Sequence, residues 1–362
     1  MLIRIAPLDT LFFRTGRPFV RGEDTWADVI FPPFPSTLYG AIRSFMIFRR
    51  GSLDDFYKGK WKDDLGTPKS KGSLSIKGPL LFGGEVQFNV PRDLVSLKHT
   101  KNPASYRLNF SRKSELFISN YNLDRMLFWQ KKDVVDEPGG YLTLINFIDY
   151  LKNRGESFST VDYGEFFCEE PKIGIARNKT TLTVEEGYLY RIPLIRLKEG
   201  VSLVLKIDGL DDFPDKGVIQ LGGEGKGAYF KEIIDPLRDL KKLDFDLSNG
   251  VFKVYLATPA IFKNGWLPEW VNERDYVGEF GGIRLKLLAC ALGKPIGIGG
   301  WDMAENKPKP LRKAVPAGSV YYFKLLDGAN SEKVKDVFHF RNISDFNPEE
   351  GFGLSIIGEV RL

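Results

Sequence analysis

Cysteine and histidine are almost missing from this chain of 362 residues, with two of each. Cys168 and Cys290 can build neither a disulfide framework nor a four-thiolate metal site, and so little thiol fits a reducing cytoplasm. His99 and His339 stand far apart, and no H-x-x-x-H or C-x-x-C spacing marks a metal centre. Long apolar runs are also lacking, and none approaches the ~20 residues that a bilayer-spanning helix needs. The opening MLIRIAPLDTLFF has no extended apolar core and no small-residue cleavage site, so it does not read as a secretory signal. The expectation is a cytoplasmic globular protein with no metal, cofactor or membrane attachment.

What is abundant is glycine (37 residues) and phenylalanine (28). Lys and Arg number 52 against 47 acids, a net charge of +5 that permits a nucleic-acid partner without demanding one. The length suits two domains.

LIRIAPL alternates as a strand does, and an arginine-bearing loop follows. After FPPFP, Ser36 stands where an N-cap belongs. Leu38, Ala41, Ile42, Phe45 and Met46 then take helical spacing up to Arg49, Arg50 and Gly51. SLSIKG and EVQFNV predict an antiparallel pair over 73–90, and strand character returns over 188–208. Residues 91–185 read as an insertion with a short helix in LTLINFIDYLKNRG. A second unit begins with the strand VFKVYLATPAIF. The spacing of Leu285, Leu288, Ala289 and Leu292 in IRLKLLACAL predicts a helix, and SVYYFKLL and LSIIGEV predict strands. The expected class is α+β: two ferredoxin-like (RRM-like, βαββαβ) domains, 1–243 with its insertion and 244–362.

Three glycine loops punctuate this pattern, at 222–227, 297–300 and 351–353. LGGEGKGAYF is not a Walker A loop, because Gln220 replaces the first glycine and Gly227 replaces the Mg²⁺-binding hydroxyl. IGIGGW is not a dinucleotide fingerprint. What remains is a tight turn, a close crossing of two protein segments, or a backbone laid against an extended ligand.

Cations also cluster. Arg14, Arg17 and Arg21 lie on one loop. Arg92, Lys98, Lys101, Arg107, Arg112 and Lys113 face a single acid, Asp93, with Tyr106 and Phe110 interleaved. Lys307, Lys309, Arg312 and Lys313 form a third group without an acid. Solvated surface explains any one of them; together they suggest a charged groove with aromatics for stacking bases. His99, beside Lys98 and Lys101, is the one candidate base for metal-independent RNA cleavage.

DTLFFRTGRPF, FPPFPSTLYGAIRS, PKIGIARNKTTLTVEEGYLYRIPLIRLKEGV, LGGEGKGAYF, AVPAGSVYYF and GFGLSIIGEV follow one another along the chain. In that order they resemble the third-subunit family of the Cmr complex, a type III-B CRISPR effector within the RAMP superfamily. The resemblance runs from the first strand to the last and is weakest over 51–165. It implies two ferredoxin-like domains and a non-catalytic subunit that helps hold the 5′ tag of crRNA. The implied neighbours are a large polymerase/cyclase-type subunit and the backbone subunits. Carried over by position, the RNA-binding candidates are Arg14, Arg17, Ser36, Thr37 and Arg43. Gly222, Gly223, Gly225, Lys226 and Gly227 join them, with Gly297, Gly299, Gly300 and Trp301 of IGIGGWD. The basic clusters add Lys98, Lys101, Arg107, Arg112, Lys309 and Arg312. A RAMP-type endoribonuclease using His99, and a surface for an acidic protein partner, are the alternatives.

Overall fold

The computed structural model describes residues 1–15, 28–98, 104–113, 122–178, 180–181, 183–302, 306–326, 328 and 331–361. The chain is mixed α/β, mostly strands with few helices. None of the described helices is long and apolar enough to cross a membrane. Contacts group it into two compact units: Met1–Pro79 with Phe166–Ile233 and Gly297–Lys313, and Leu80–Glu165 with Ile234–Ile296 and Ala314–Leu362. These are not the contiguous 1–243 and 244–362 read from the sequence. Strands pair across long sequence separations, so each unit gathers distant segments. Residues 91–185 do not form one insertion either: the part up to Glu165 goes with the second unit and the part from Phe166 with the first.

In the first unit the alternation of LIRIAP becomes the strand Leu2–Pro7, with Ile3 and Ile5 in the core. It lies antiparallel between Val201–Asp208 and Gly227–Glu232, and Lys216–Gln220 forms the sheet edge. Ser75–Gly83 neighbours Val201–Asp208 on the other side. Taking Leu2–Pro7, Ser75–Gly83, Val201–Asp208 and Gly227–Glu232 in chain order, their order in space is fourth, first, third, second. A helix, Pro35–Arg50, joins the first to the second, burying Leu38, Ile42 and Met46. Between the third and fourth stands the edge strand instead of a helix. The N-cap is Phe34, not Ser36, because Pro35 occupies the first helical turn and its fixed φ starts the helix two residues earlier than expected. The helix closes as expected, with the Gly51 amide donating to the Ile47 carbonyl at 2.9 Å. A long hairpin, Phe167–Arg177 with Val184–Leu197, completes this unit.

The second unit repeats the strand order. Val251–Leu256, Ile283–Ala291, Val320–Leu325 and Leu354–Glu359 lie as fourth, first, third, second, flanked by Val277–Phe280 and Arg341–Asn342. Here the helix is Ser331–Phe338, between the third and fourth strands. The helix expected from IRLKLLACAL is a strand. A β-bulge between Leu287 and Ala289 breaks its alternation, so Leu285, Leu287, Leu288 and Ala289 are all buried and imitate helical spacing. Residues 94–159 add a small sheet in the order Ser157–Ser159, Ala104–Arg107, Leu94–Leu97, Val135–Asp136, and the expected short helix, Leu144–Leu151.

Every residue of Val251–Leu256 is buried, Lys253 included at 1% exposure. Its ammonium lies 3.4 Å from the Tyr150 ring centroid and 3.9 Å from Asp93 Oδ2. Burial pushes this lysine well below its ordinary value. Asp93, itself buried, accepts hydrogen bonds from the Tyr150 hydroxyl at 2.8 Å and the Tyr322 hydroxyl at 2.5 Å. His339 is buried too: Nε2 donates to the Leu240 carbonyl at 3.0 Å and Nδ1 has no hydrogen-bond partner among the described residues. Burial lowers it from 6.5 to about 4.

Two outcomes follow. Asp93→Ala strands two phenols and an ammonium in the core and is expected to cost about 3–5 kcal/mol, read by urea unfolding. For His339 the unfolded chain takes up its proton near 6.5, and the folded chain only near 4. The unfolded state therefore binds more protons in that window, and stability falls as pH drops through it, by about 3 kcal/mol in all. Unfolding midpoints at pH 7 and pH 4.5 should converge in His339→Gln more than in the wild type; equal pH slopes would refute the assignment.

Candidate nucleic-acid interface

The loop LGGEGKG caps the edge hairpin of the first unit. Leu221 N–H donates to the Lys226 carbonyl at 2.8 Å, and Gly222, Glu224 and Gly225 all have positive φ. A Cβ on Gly222 would lie 2.4 Å from the Phe12 carbonyl oxygen, and one on Gly223 2.8 Å from the Phe12 ring. The Gly223 amide donates to that same Phe12 carbonyl at 2.9 Å. These two glycines therefore let the segment after the first strand cross the loop at main-chain distance. Gly227 takes part from the other side, accepting from Leu8 N–H at 3.0 Å. Of the four loop glycines carried from sequence, only Gly225 has no neighbour within 4 Å of a would-be Cβ among the described residues.

The crossing segment is held by charge as well. Lys226 Nζ donates to Thr10 Oγ1 at 2.9 Å and lies 3.4 Å from Asp9 Oδ2. Asp9 also meets Arg196 at 3.1 Å, and Arg196 pairs with Glu170. The Thr10 amide, then Arg196 and Lys226, hold Asp9 below the ordinary carboxylate value. Its bond to Arg196 does the same for Glu170. Lys172 pairs with Glu224 at 2.7 Å. Leu11 meanwhile exchanges two backbone hydrogen bonds of 2.8 Å with Ile195 of the long hairpin. Lys226 thus spends its donors on its own chain, through Asp9 and Thr10, a pairing that no local pattern in LDTLFF announces.

The segment Gly297–Lys313 is built differently. Ile296–Ile298 pairs with Arg312–Ala314, and Trp301–Asp302 with Lys307–Pro308, so the chain goes out and back as a narrow double ladder. Gly300, at φ +153, turns its carbonyl to the Lys309 amide at 2.9 Å. Trp301 is 52% exposed and Leu311 61%, and Lys307, Lys309, Arg312 and Lys313 are exposed with them. The sequence pointed to the cations and Trp301; Leu311 was missed, because its exposure depends on the ladder. Gly297 and Gly299 lie on the same ribbon. A flat aromatic among exposed cations is the arrangement that single-stranded nucleic acid uses.

The remaining candidates divide. Arg43 is structural: Nε and a terminal nitrogen donate to the Leu65 and Thr67 carbonyls at 2.7 Å each, and its guanidinium covers the Phe56 ring. Ser36 and Thr37 are half-buried in the first turn of their helix. Arg14 is exposed and bridges Val29 through its backbone. In the second unit Arg107 is committed to the carbonyls of Tyr150 and Gly155 and to the face of Phe158. Lys98 meets Asp136 at 3.1 Å, and exposed Arg112 stands across the ladder from Arg125. Arg17, Lys101 and His99 lie outside the described residues. Among the described residues no cluster of His, Cys, Asp and Glu could hold a metal.

The chain matches the family described as CRISPR-associated protein (Cas_Cmr3) over residues 3–360. The CRISPR system CMR subunit Cmr3 of Saccharolobus solfataricus is 23% identical over 340 residues, covering 91% of this chain and 88% of that protein. Among solved structures, it resembles a chain of the type III-B Cmr-β complex bound to cognate target RNA. The TM-score is 0.52 at 19% identity, over 89% of this chain and 86% of that one. The same complex with AMPPnP gives 0.52 at 20% identity, with the same coverage. With almost its whole length matched, the chain belongs to the Cmr3 family of CRISPR-associated proteins.

Proposed function

We propose that this protein is a non-catalytic, RNA-binding subunit of a type III-B Cmr effector complex. In this reading it holds the 5′ tag of crRNA and bridges the large polymerase/cyclase-type subunit to the backbone subunits. The observation that carries the RNA contact is the ribbon Gly297–Lys313, where Trp301 and Leu311 stand exposed among four cations. Phosphates need cations and splayed bases need a flat apolar face, and both lie there within a few residues.

The two strand sets in fourth, first, third, second order support reading each as a ferredoxin-like domain that has lost one helix, the second in the N-terminal half and the first in the C-terminal half. Such a pair of sheets suits a scaffold: the loops between strands are free to vary without disturbing the cores.

The binding test uses the purified full chain and a fluorescein-labelled RNA carrying a crRNA 5′ tag. Trp301→Ala is expected to weaken binding by about tenfold, in the range of a lost base stack. Lys309→Glu with Arg312→Glu should lower the salt slope of log K by about 1.4, two phosphates' worth. Wild-type affinity in both variants would remove the RNA role from this ribbon. The same RNA incubated with the protein without metal is expected to stay intact; cleavage abolished by His99→Ala would instead favour an endoribonuclease.

A further inference from the structure

The outer face of the first unit's edge hairpin carries an arrangement that the fold does not need. Lys216 stands directly across the ladder from Lys231, and Lys231 directly across from Arg4 on the next strand. Three cations therefore form one row over three adjacent strands. Like charges opposite one another cost a sheet stability. Yet neither Lys216 nor Lys231 meets a carboxylate among the described residues, and both are exposed. The next row on the same face is apolar: Val218 opposite Tyr229 opposite Ala6, with Val218 54% and Tyr229 38% exposed. The opposite face of the same strands is core, where Ile219, Ala228, Phe230, Ile3 and Ile5 are buried.

Towards the sheet centre the outer face closes. Arg4 donates to Ser202 Oγ at 2.8 Å and to the Gly200 carbonyl at 3.0 Å, and Ser202 and Val204 are buried. The open platform is thus bounded, about two strands wide, and it runs along the hairpin towards the Gly225 tip.

We propose that this platform is a second contact surface for single-stranded RNA, separate from the Gly297–Lys313 ribbon. Lys216 and Lys231 meet successive phosphates, and Tyr229 offers its ring to a base. The choice of RNA over an acidic protein rests on charge and shape together. A cation row flanking an exposed aromatic on a sheet face matches a strand that is anionic along its backbone and flat at its bases. The proposal rests on the RNA-binding reading above and adds a second place where the strand is held.

The test measures binding of a fluorescein-labelled 20-nucleotide oligouridylate to the purified full chain across a salt series. Lys216→Glu with Lys231→Glu is expected to weaken binding at least tenfold, with a salt slope lower by about 1.4. Tyr229→Ala should weaken it about tenfold, and Tyr229→Phe should restore it. All of these side chains are exposed, so unchanged thermal unfolding of each variant checks the fold. Wild-type binding in these variants, with binding lost in Trp301→Ala, overturns the platform and leaves the ribbon standing. Wild-type binding in both sets overturns both. If the lysine pair alters co-purification of an acidic protein partner while RNA affinity is unchanged, the platform is a protein dock and this proposal is wrong.

Discussion

A single main-chain approach organises the first unit: the Phe12 carbonyl received by the Gly223 amide, with Gly222 leaving room beside it. Because no side chain intervenes, the segment after the first strand can pass beneath the glycine loop and reach the long hairpin at Leu11 and Ile195. Lys226, Asp9 and Arg196 then add charge to a path already set by the backbone. A Cβ at Gly222 would put carbon 2.4 Å from a carbonyl oxygen, in a backbone conformation that L residues rarely adopt. The loop's glycines serve the chain's own crossing before they serve any ligand.

The second unit depends on burial of a different kind. Its central strand is covered on both faces, and the lysine within it is tolerated because Tyr150 and Asp93 surround it. The two tyrosine hydroxyls that donate to Asp93 come from segments 172 residues apart in number, Tyr150 and Tyr322. A polar cluster that must be satisfied by such distant residues ties the small sheet around 94–159 to the strands that follow Asn249.

A net charge of +5 hides two populations of cations. Arg43, Arg107 and Lys226 are spent inward, on carbonyls, aromatic faces and carboxylates. Lys216, Lys231, Lys309 and Lys313 are directed outward. Composition weighs both populations equally, although only the second can meet a polyanion. This is why Arg107 and Lys309, each a member of a basic cluster in the sequence, differ so much in structure.

Local patterns alone determined a good deal. The helix over 35–50, the strands Leu2–Pro7, Val320–Leu325 and Leu354–Glu359, and the short helix at 144–151 all follow from periodicity and neighbouring breakers. The ordered motifs from DTLFF to GFGLSIIGEV carried the family. Tertiary structure alone decided the rest. IRLKLLACAL is a strand because it pairs with Val320–Leu325, and its bulge buries both faces so that the burial pattern imitates a helical period. Pairing between distant strands, not chain continuity, set the two units. And whether a glycine or a lysine is free for a ligand depended on a partner more than 200 residues away: Phe12 for Gly223, Asp9 for Lys226. A sequence records which groups are available; only the fold determines which of them have already been used.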